Sequence, residues 1–283
     1  MSVGPQEFEI TVPGARLRGD VWVPGAAPRG AAIVVCHGFK GFKDWGFFPY
    51  LSGQLAERMG LPVVCFNFDG SGVRDRVDEF DDLAAFSRNT FTKELFDLEV
   101  ILDGLGSGRL GHLSVPPCDR CGLLGHSRGG ATCILKAASR TQVRALVTWA
   151  SIASVDRYGG YSERWDAGET VSIRNARTGQ DMPLERNVLD DVRANGARLD
   201  VLGAAAALRV PFGVVHGDAD ESVPFADAEA LAAAAGPGAT LFRIGGAGHG
   251  MGEGHPFGGS NEQFESAIEA SVAVFRRGLE AGG

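Results

Sequence analysis

Two patterns of apolar residues alternate along the chain. Short continuous apolar runs are typical of strands that are buried in a parallel sheet. Residues 31–36 form such a run, and further strands are predicted at residues 61–68, 121–124, 143–150, 210–216 and 240–244. Other segments carry apolar residues at helical spacing. These predicted helices fall at residues 47–59, 91–105, 131–139, 225–235 and 264–275. The alternation predicts an α/β fold with a mainly parallel central sheet and helices on both faces.

The N-terminal part of the chain follows a different pattern. Residues 8–12 and 17–23 alternate apolar and polar positions, which predicts an antiparallel pair of edge strands. After the first buried run, Asp44 is expected to cap the helix that follows.

The segment Gly125-His126-Ser127-Arg128-Gly129 lies between a predicted strand and a predicted helix. G-x-S-x-G at such a turn is the pattern of a nucleophile elbow, with the serine at its apex. The glycines leave room for a turn that holds the serine in a strained conformation. The helix then directs its first N–H groups at a developing oxyanion. An ordinary strand-to-helix turn is the alternative, so the interpretation depends on the partners of the serine.

A serine nucleophile needs a base to accept its proton and an acid to orient that base. In this arrangement they follow the serine in the order acid, then histidine. Two candidate acids, Asp218 and Asp220, follow the predicted strand 210–216. Asp218 lies close to the strand end, where a side chain tends to serve the turn, so Asp220 is preferred. His249, in the glycine-rich loop after the last strand, is the predicted base, and His255 is the second candidate.

The oxyanion hole of this arrangement uses the N–H of the residue after the nucleophile, here Arg128. Its second N–H comes from the loop after an earlier strand. That loop reads His37-Gly38-Phe39, so the amide of Phe39 is the predicted second donor. We expect His37 to brace the loop through hydrogen bonds, and we interpret His126 as structural.

Residues 151–208 interrupt the alternation of strands and helices. They are polar and rich in arginine, and they are too long for a single crossover helix. We predict a core of residues 1–150 and 209–283, with residues 151–208 inserted as a cap over the active site. Arg174 and Arg177 are its candidate substrate-binding residues, because guanidinium groups pair with carboxylates. A solvated surface excursion is the alternative.

Composition and charge exclude several function classes. The chain has 283 residues, 44% of them hydrophobic, and a net charge of −8 without any basic run, which argues against nucleic acid as a partner. No apolar run approaches a membrane span and no signal-peptide pattern is present, so we expect a cytoplasmic protein that does not bind membranes. Cys36, Cys65 and Cys133 lie in apolar segments and are interpreted as core residues. Cys118 and Cys121 have C-x-x-C spacing, but a redox or zinc role would need a helix start or a second pair, and neither is present. No metal-ligand cluster is visible.

These blocks together resemble the α/β-hydrolase superfamily, in its serine esterase and peptidase branch. His37-Gly38-Phe39 and the segment Asn67-Phe68-Asp69-Gly70-Ser71-Gly72 are most similar to bacterial cinnamoyl (feruloyl) esterases and to dienelactone-hydrolase-like proteins. In that superfamily the acid usually stands three residues before the valine of a Val-Pro pair, which is Asp220 here. Dienelactone hydrolases proper have a cysteine at the elbow, where this chain has Ser127.

The resemblance implies a serine hydrolase that cleaves carboxylic esters of small or aromatic acyl groups by two-step acyl transfer. No metal or organic cofactor is required, and the predicted partner is a small-molecule ester. One alternative is a serine aminopeptidase or acyl-peptidase, in which Glu163, Asp166 and Glu169 could hold a substrate amine. Another is a non-catalytic binding protein on the same scaffold. The sequence contains no feature that indicates the oligomeric state.

Overall fold

The computed structural model describes residues 4–25, 30–76, 79–113, 115–175 and 178–280. Its strands are β1 (Gln6–Val12), β2 (Ala15–Trp22), β3 (Gly30–Cys36), β4 (Val63–Asn67), β5 (Cys118–His126), β6 (Val143–Trp149), β7 (Val171–Arg174), β8 (Asp181–Leu184), β9 (Phe212–Gly217) and β10 (Ala239–Ile244). Its α-helices are α1 (Phe48–Met59), α2 (Leu83–Ser87), α3 (Phe91–Gly106), α4 (Arg128–Ala137), α5 (Ser162–Asp166), α6 (Asn187–Asn195), α7 (Val201–Ala207), α8 (Phe225–Ala235) and α9 (Glu262–Leu279).

Eight strands form one central sheet in the order β1-β2-β4-β3-β5-β6-β9-β10. β2 is antiparallel to β1 and to β4, and the other neighbours are parallel. The helices α1 and α9 pack together and against the sheet, while α3, α4, α7 and α8 form a second connected layer. The predicted α/β class with a mainly parallel sheet is confirmed, and so is the antiparallel pair at its N-terminal edge. No helix in the described ranges combines the length and the apolar content needed to cross a lipid bilayer.

A cluster of aromatic side chains fills the space between the sheet, the start of α1 and α9. Phe47, Trp149 and Phe264 are fully buried, with ring centroids 5.3 to 5.9 Å apart. Burying a large apolar side chain contributes about 1.5–3 kcal/mol. The indole N–H of Trp149 donates to Ser271 Oγ at 2.9 Å, and the Trp149 carbonyl accepts the N–H of Ser127 at 2.8 Å. The cluster therefore supports the turn that carries Ser127.

The helix cap predicted at Asp44 and the cysteines are compared with the structure next to this core. The predicted cap at Asp44 is wrong, because α1 begins at Phe48 with Pro49 in its first turn. Proline is favoured there because its fixed φ suits the first helical turn. The Asp44 carboxylate instead binds the Lys43 ammonium at 2.8 Å. Cys36, Cys65 and Cys133 are buried free thiols, as expected of core residues, and Cys118 and Cys121 in β5 are buried free thiols as well.

The segment of residues 151–208 contains secondary structure of its own. β7 and β8 form an antiparallel hairpin. Arg177, predicted to bind substrate, lies outside the described residues. The short helix α5 precedes this hairpin and α6 follows it, and α7 packs against α4 and α8 of the core layer.

Asp97, on α3, is a carboxyl group buried beneath the end of β4. It is 1% exposed and accepts the N–H of Asp69 at 2.9 Å. Burial raises the pKa of Asp97 to about 7, although the hydrogen bond from Asp69 acts in the opposite direction. In the unfolded chain the same group titrates near its ordinary value of about 3.9. Stability therefore falls as the pH rises through the window from about 4 to 7.

This pKa shift predicts that Asp97→Asn, which keeps an acceptor but cannot ionise, stabilises the protein at high pH. The free energy of unfolding should exceed that of the wild type by about 1–4 kcal/mol above pH 7, at about 1.4 kcal/mol per pKa unit. The difference should shrink as the pH approaches 4, and urea unfolding at several pH values measures it.

Asp103→Asn is the matched control, because Asp103 lies on the same helix but is exposed and pairs with Arg140 at 2.7 Å. It should not reproduce the pH trend. A stability gain of Asp97→Asn that grows towards low pH would contradict the assignment.

Candidate active site

Ser127 stands between β5 and α4 in a backbone conformation that few residues other than glycine adopt. Its φ is 55° and its ψ is −120°. A Cβ on Gly125 would lie 2.3 Å from the Gly129 carbonyl oxygen, and a Cβ on Gly129 would lie 2.3 Å from the His37 carbonyl oxygen. Both positions therefore require glycine, and the turn has the form that the G-x-S-x-G pattern predicts.

The loop after β3 touches this turn. A Cβ on Gly38 would lie 2.9 Å from the Ser127 Cβ, so the two backbones are in close contact. Arg128 is the first residue of α4, where an N–H has no intrahelical partner. Within the described ranges, the N–H of Phe39 donates to no backbone carbonyl. These are the two amides predicted for the oxyanion hole, and both belong to the backbone segments that meet at Ser127.

His37 holds the loop that carries Phe39. Its Nε2 accepts the N–H of Phe68 at 3.3 Å, and its Nδ1–H donates to the Gly38 carbonyl at 2.9 Å. Burial lowers the pKa of His37 to about 4, so the ring is neutral near pH 7. The Gly38 carbonyl and the Phe39 N–H belong to one peptide group, and His37 therefore fixes the direction of that N–H. This agrees with the predicted bracing role.

His249 and Asp220 are joined by a short hydrogen bond. His249 Nδ1 lies 2.7 Å from Asp220 Oδ2. The Asp220 side chain is fully buried, and its Oδ1 accepts the N–H groups of Ser222 at 2.8 Å and Val223 at 3.0 Å. The Nε2 atom of His216 lies 3.4 Å from the same Oδ2. The carboxylate therefore has partners on both oxygens.

These partners decide the charge of Asp220. Burial alone would raise the pKa of the carboxyl group, but the hydrogen bonds from His216, His249 and the Val223 amide outweigh it. The pKa of Asp220 consequently lies well below its usual range. A carboxylate that stays charged and accepts the Nδ1–H of His249 orients the imidazole. It leaves Nε2 of His249 as the proton acceptor.

The alternative acid and base have other partners. Asp218 accepts the N–H of Gly246 at 2.6 Å and the Nε–H of Arg243 at 2.9 Å, so it braces the loop that leads to His249. His255 accepts the N–H of Gly46 at 2.8 Å through Nδ1 and stacks on a tryptophan ring. The structure therefore brings Asp220, rather than Asp218, to His249.

His126, which precedes Ser127, also holds the histidine loop. Its Nε2–H donates to the His249 carbonyl at 2.9 Å, and its ring lies 4.6 Å from the His249 ring. The residue interpreted as structural thus links the elbow directly to the loop of the predicted base.

The side chain of Arg128 takes part in a network that the sequence analysis did not identify. Its Nε–H donates to Glu94 Oε1 at 2.7 Å, its Nη1 donates to the Tyr158 hydroxyl, and its guanidinium lies 3.9 Å from the centre of the Phe91 ring. Burial alone would lower the pKa of Arg128, but Glu94 and Tyr158 outweigh it and keep the group charged. Glu94 also accepts from Thr132 Oγ1 at 2.9 Å.

The position of Glu94 in the sequence could have indicated this network. It lies three residues after Phe91 and four before Leu98, on the apolar stripe of α3. A charged residue on a buried stripe requires a partner of opposite charge.

Ser127 and His249 line one cavity of about 450 Å³. Half of its described lining residues are aromatic or aliphatic. Residues 151–208 supply a large part of the wall: Ile152, Arg157, Tyr158, Tyr161, Ile173 and Asn175. Arg174 is not among the described lining residues. Its exposed guanidinium pairs with Asp181 at 3.1 Å, and its carbonyl lies 3.5 Å from the Nζ of Lys40, a residue that lines the cavity.

Comparison with solved structures places this architecture among known folds. No protein-family model matches the sequence, and no curated protein matches it either. The chain is similar to Est1E from Butyrivibrio proteoclasticus, with 19% identity, a TM-score of 0.67 and coverage of 94% of this chain and 96% of that one. It is similar to the alpha/beta hydrolase GrgF from Penicillium, with 16% identity, a TM-score of 0.69 and coverage of 98% and 100%. A dienelactone hydrolase from Anabaena variabilis matches with 16% identity, a TM-score of 0.60 and coverage of 98% and 100%. The protein therefore has the α/β-hydrolase fold.

Proposed function

We propose that this protein is a serine hydrolase that cleaves carboxylic esters. The observation that carries the proposal is the pairing of His249 with the buried Asp220 carboxylate, in the same cavity as the strained Ser127. Sequence motifs and geometry point independently to the same three residues. The esterases and hydrolases among the similar structures support this class of reaction.

The reaction proceeds in two steps of acyl transfer. His249 Nε2 accepts the proton of Ser127 as the hydroxyl oxygen attacks the acyl carbonyl, and Asp220 stabilises the resulting imidazolium. The amides of Phe39 and Arg128 bind the oxyanion, where one donor contributes about 10²–10³-fold in rate. His249 then protonates the leaving alcohol. Water, activated by the same base, releases the acid from Ser127.

The cavity wall supports small or aromatic acyl groups as substrates. Phe39, Phe91, Tyr158 and Tyr161 line it, and its volume of about 450 Å³ suits a compact ester. One solved structure of Est1E has ferulic acid bound, which supports an aromatic acid as the acyl product. We further propose that residues 151–208 act as the cap of this cavity, since they supply much of its wall.

The contacts of the acidic residues favour ester hydrolysis over aminopeptidase activity. Asp166 pairs with Arg186, and Glu169 pairs with Arg164 at 2.9 Å. Neither carboxylate, nor that of Glu163, is among the described residues that line the cavity. A substrate amine would therefore find no carboxylate from this group in the cavity.

Replacement of the proposed nucleophile tests the function directly. Ser127→Ala should lower kcat for a p-nitrophenyl ester by more than about 10⁴-fold, because the variant lacks the hydroxyl that forms the acyl intermediate. A fluorophosphonate probe should label the wild type on the peptide that contains Ser127. Ser139→Ala, at the far end of α4, is the control and should keep both activity and labelling. Labelling that persists in Ser127→Ala would refute the proposal.

The two aspartates after β9 should respond differently to the same substitution. Asp220→Asn should lower kcat by about 10⁴-fold, because the amide no longer stabilises the imidazolium or fixes the His249 tautomer. Asp218→Asn should leave kcat within a few-fold and lower the thermal midpoint slightly, because it weakens the contacts to Arg243 and Gly246. Circular dichroism checks that both variants fold. Similar and modest losses of kcat in both would contradict the assignment of Asp220.

A further inference from the structure

The charged residues that line the candidate active-site cavity all carry positive charge. They are Lys40, Arg128 and Arg157, and of the described residues around the cavity none presents a carboxylate to it. The chain as a whole has a net charge of −8, so this local excess of cations is opposite in sign to that of the protein.

The three cations differ in how far other groups compensate their charge. Arg128 is buried and pairs closely with Glu94, so its charge is balanced inside the protein. Arg157 is 43% exposed, and its Nη1 lies 3.9 Å from Asp227 Oδ2, at the outer limit of an ion pair. That oxygen already accepts the N–H of Ala153 at 2.9 Å. Exposed ion pairs with such long contacts contribute little.

Arg157 lies beside the loop that carries the proposed acid. Its Nη2 donates to the Ser222 carbonyl at 3.4 Å, two residues after Asp220. This contact and the one to Asp227 are both long, so the guanidinium can exchange them for a better acceptor.

Lys40 lies on the other loop of the site, directly after Phe39. Its backbone φ of 57° is unusual for a residue with a side chain, and it fixes the direction in which the side chain leaves the loop. The contact of its ammonium with the Arg174 carbonyl, at 3.5 Å, is at the limit of a hydrogen bond. The two cations thus stand on different loops around one opening.

We propose that the cavity takes esters that carry a carboxylate in addition to the scissile ester bond, with Arg157 as the principal carboxylate-binding residue and Lys40 in support. The inference rests on the proposed function and names its substrate class. A guanidinium fork binds a carboxylate through two parallel hydrogen bonds, which gives orientation as well as affinity. The aromatic wall then holds the carbon skeleton between that carboxylate and Ser127.

Two pairs of matched esters test the proposal and locate the carboxylate. On the acyl side, mono-4-nitrophenyl glutarate is compared with its glutaramate analogue. On the alcohol side, 4-carboxyphenyl butyrate is compared with 4-carbamoylphenyl butyrate. In each pair a neutral amide of nearly the same shape replaces the carboxylate. We expect the wild type to show a kcat/KM at least about tenfold higher for the anionic member of one pair.

Substitutions then assign the preference to residues. Arg157→Gln should reduce the ratio of anionic to neutral kcat/KM by about tenfold, and Lys40→Gln should reduce it several-fold, while the neutral ester is still cleaved. Raising the salt concentration from about 0.01 M to 1 M should reduce the wild-type ratio, because the Debye length shrinks from about 30 Å to 3 Å. Arg174→Gln is the matched control, because its guanidinium pairs with Asp181 away from the cavity, and it should leave the ratio unchanged.

The outcomes separate the two levels of the proposal. A wild type that cleaves the neutral esters as fast as the anionic ones, or a ratio that Arg157→Gln does not change, would overturn the carboxylate inference and leave the hydrolase proposal intact. A wild type that cleaves none of the esters and is not labelled by the fluorophosphonate probe would overturn the hydrolase proposal itself.

Discussion

The close approach of three backbone segments at Ser127 is the constraint on which the rest of the site depends. β5 must end, turn and enter α4 within a few residues while the loop after β3 passes against the same turn. Only glycine at positions 125 and 129 allows the carbonyl contacts that this requires. A residue held at such a φ costs on the order of 1–3 kcal/mol. The central position of β5 in the sheet, and the aromatic cluster around Trp149, offset that cost and keep the turn in one conformation.

Around this turn, the site is organised by charges that are removed from water. Asp220 is fully buried and hydrogen-bonded on both oxygens, and Glu94 and Arg128 form a second buried pair. Taking such groups out of water is expensive, so a buried pair of this kind is weak evidence for stability. Its value here is geometric, because it orients the first turn of α4. Both arrangements hold their charge through protein groups that are already oriented before a reaction begins.

The parts of the fold that follow from strong local rules could be predicted from the sequence. The unbroken apolar run at 31–36 is a strand because such a run suits the interior of a parallel sheet, where both faces are covered. The loops of Asp220 and His249 could be expected to meet because neighbouring strands of a parallel sheet end at the same edge, and β9 and β10 are such neighbours. The prediction that Asp44 caps α1 was wrong, because Pro49 favours a helix start at Phe48 and the Asp44 carboxylate binds the ammonium of Lys43.

The directions of the side chains within residues 151–208 could not be predicted from the sequence. The polar composition there lacks a clear period, and the short helices α5 and α6 have no long apolar stripe to announce them. Arg174 was a reasonable candidate by its type, yet its direction depends on the register of the β7–β8 hairpin, which turns the guanidinium towards Asp181. The partners of Arg128 are distant in sequence, and only the packing of α3 against α4 brings Glu94 to it.

The contact between Arg128 and Tyr158 has a consequence for how this protein can diverge. Ser127, Asp220 and His249 all lie outside residues 151–208, so this segment resembles a module that another insertion could replace. Tyr158, however, belongs to that segment and accepts a hydrogen bond from the buried guanidinium beside Ser127. A replacement segment without a hydroxyl at the position of Tyr158 would leave the buried Nη1 of Arg128 without this acceptor, next to Ser127. A segment that replaces residues 151–208 must therefore supply a hydrogen-bond acceptor for Arg128. Otherwise Arg128 and Glu94 must be substituted at the same time.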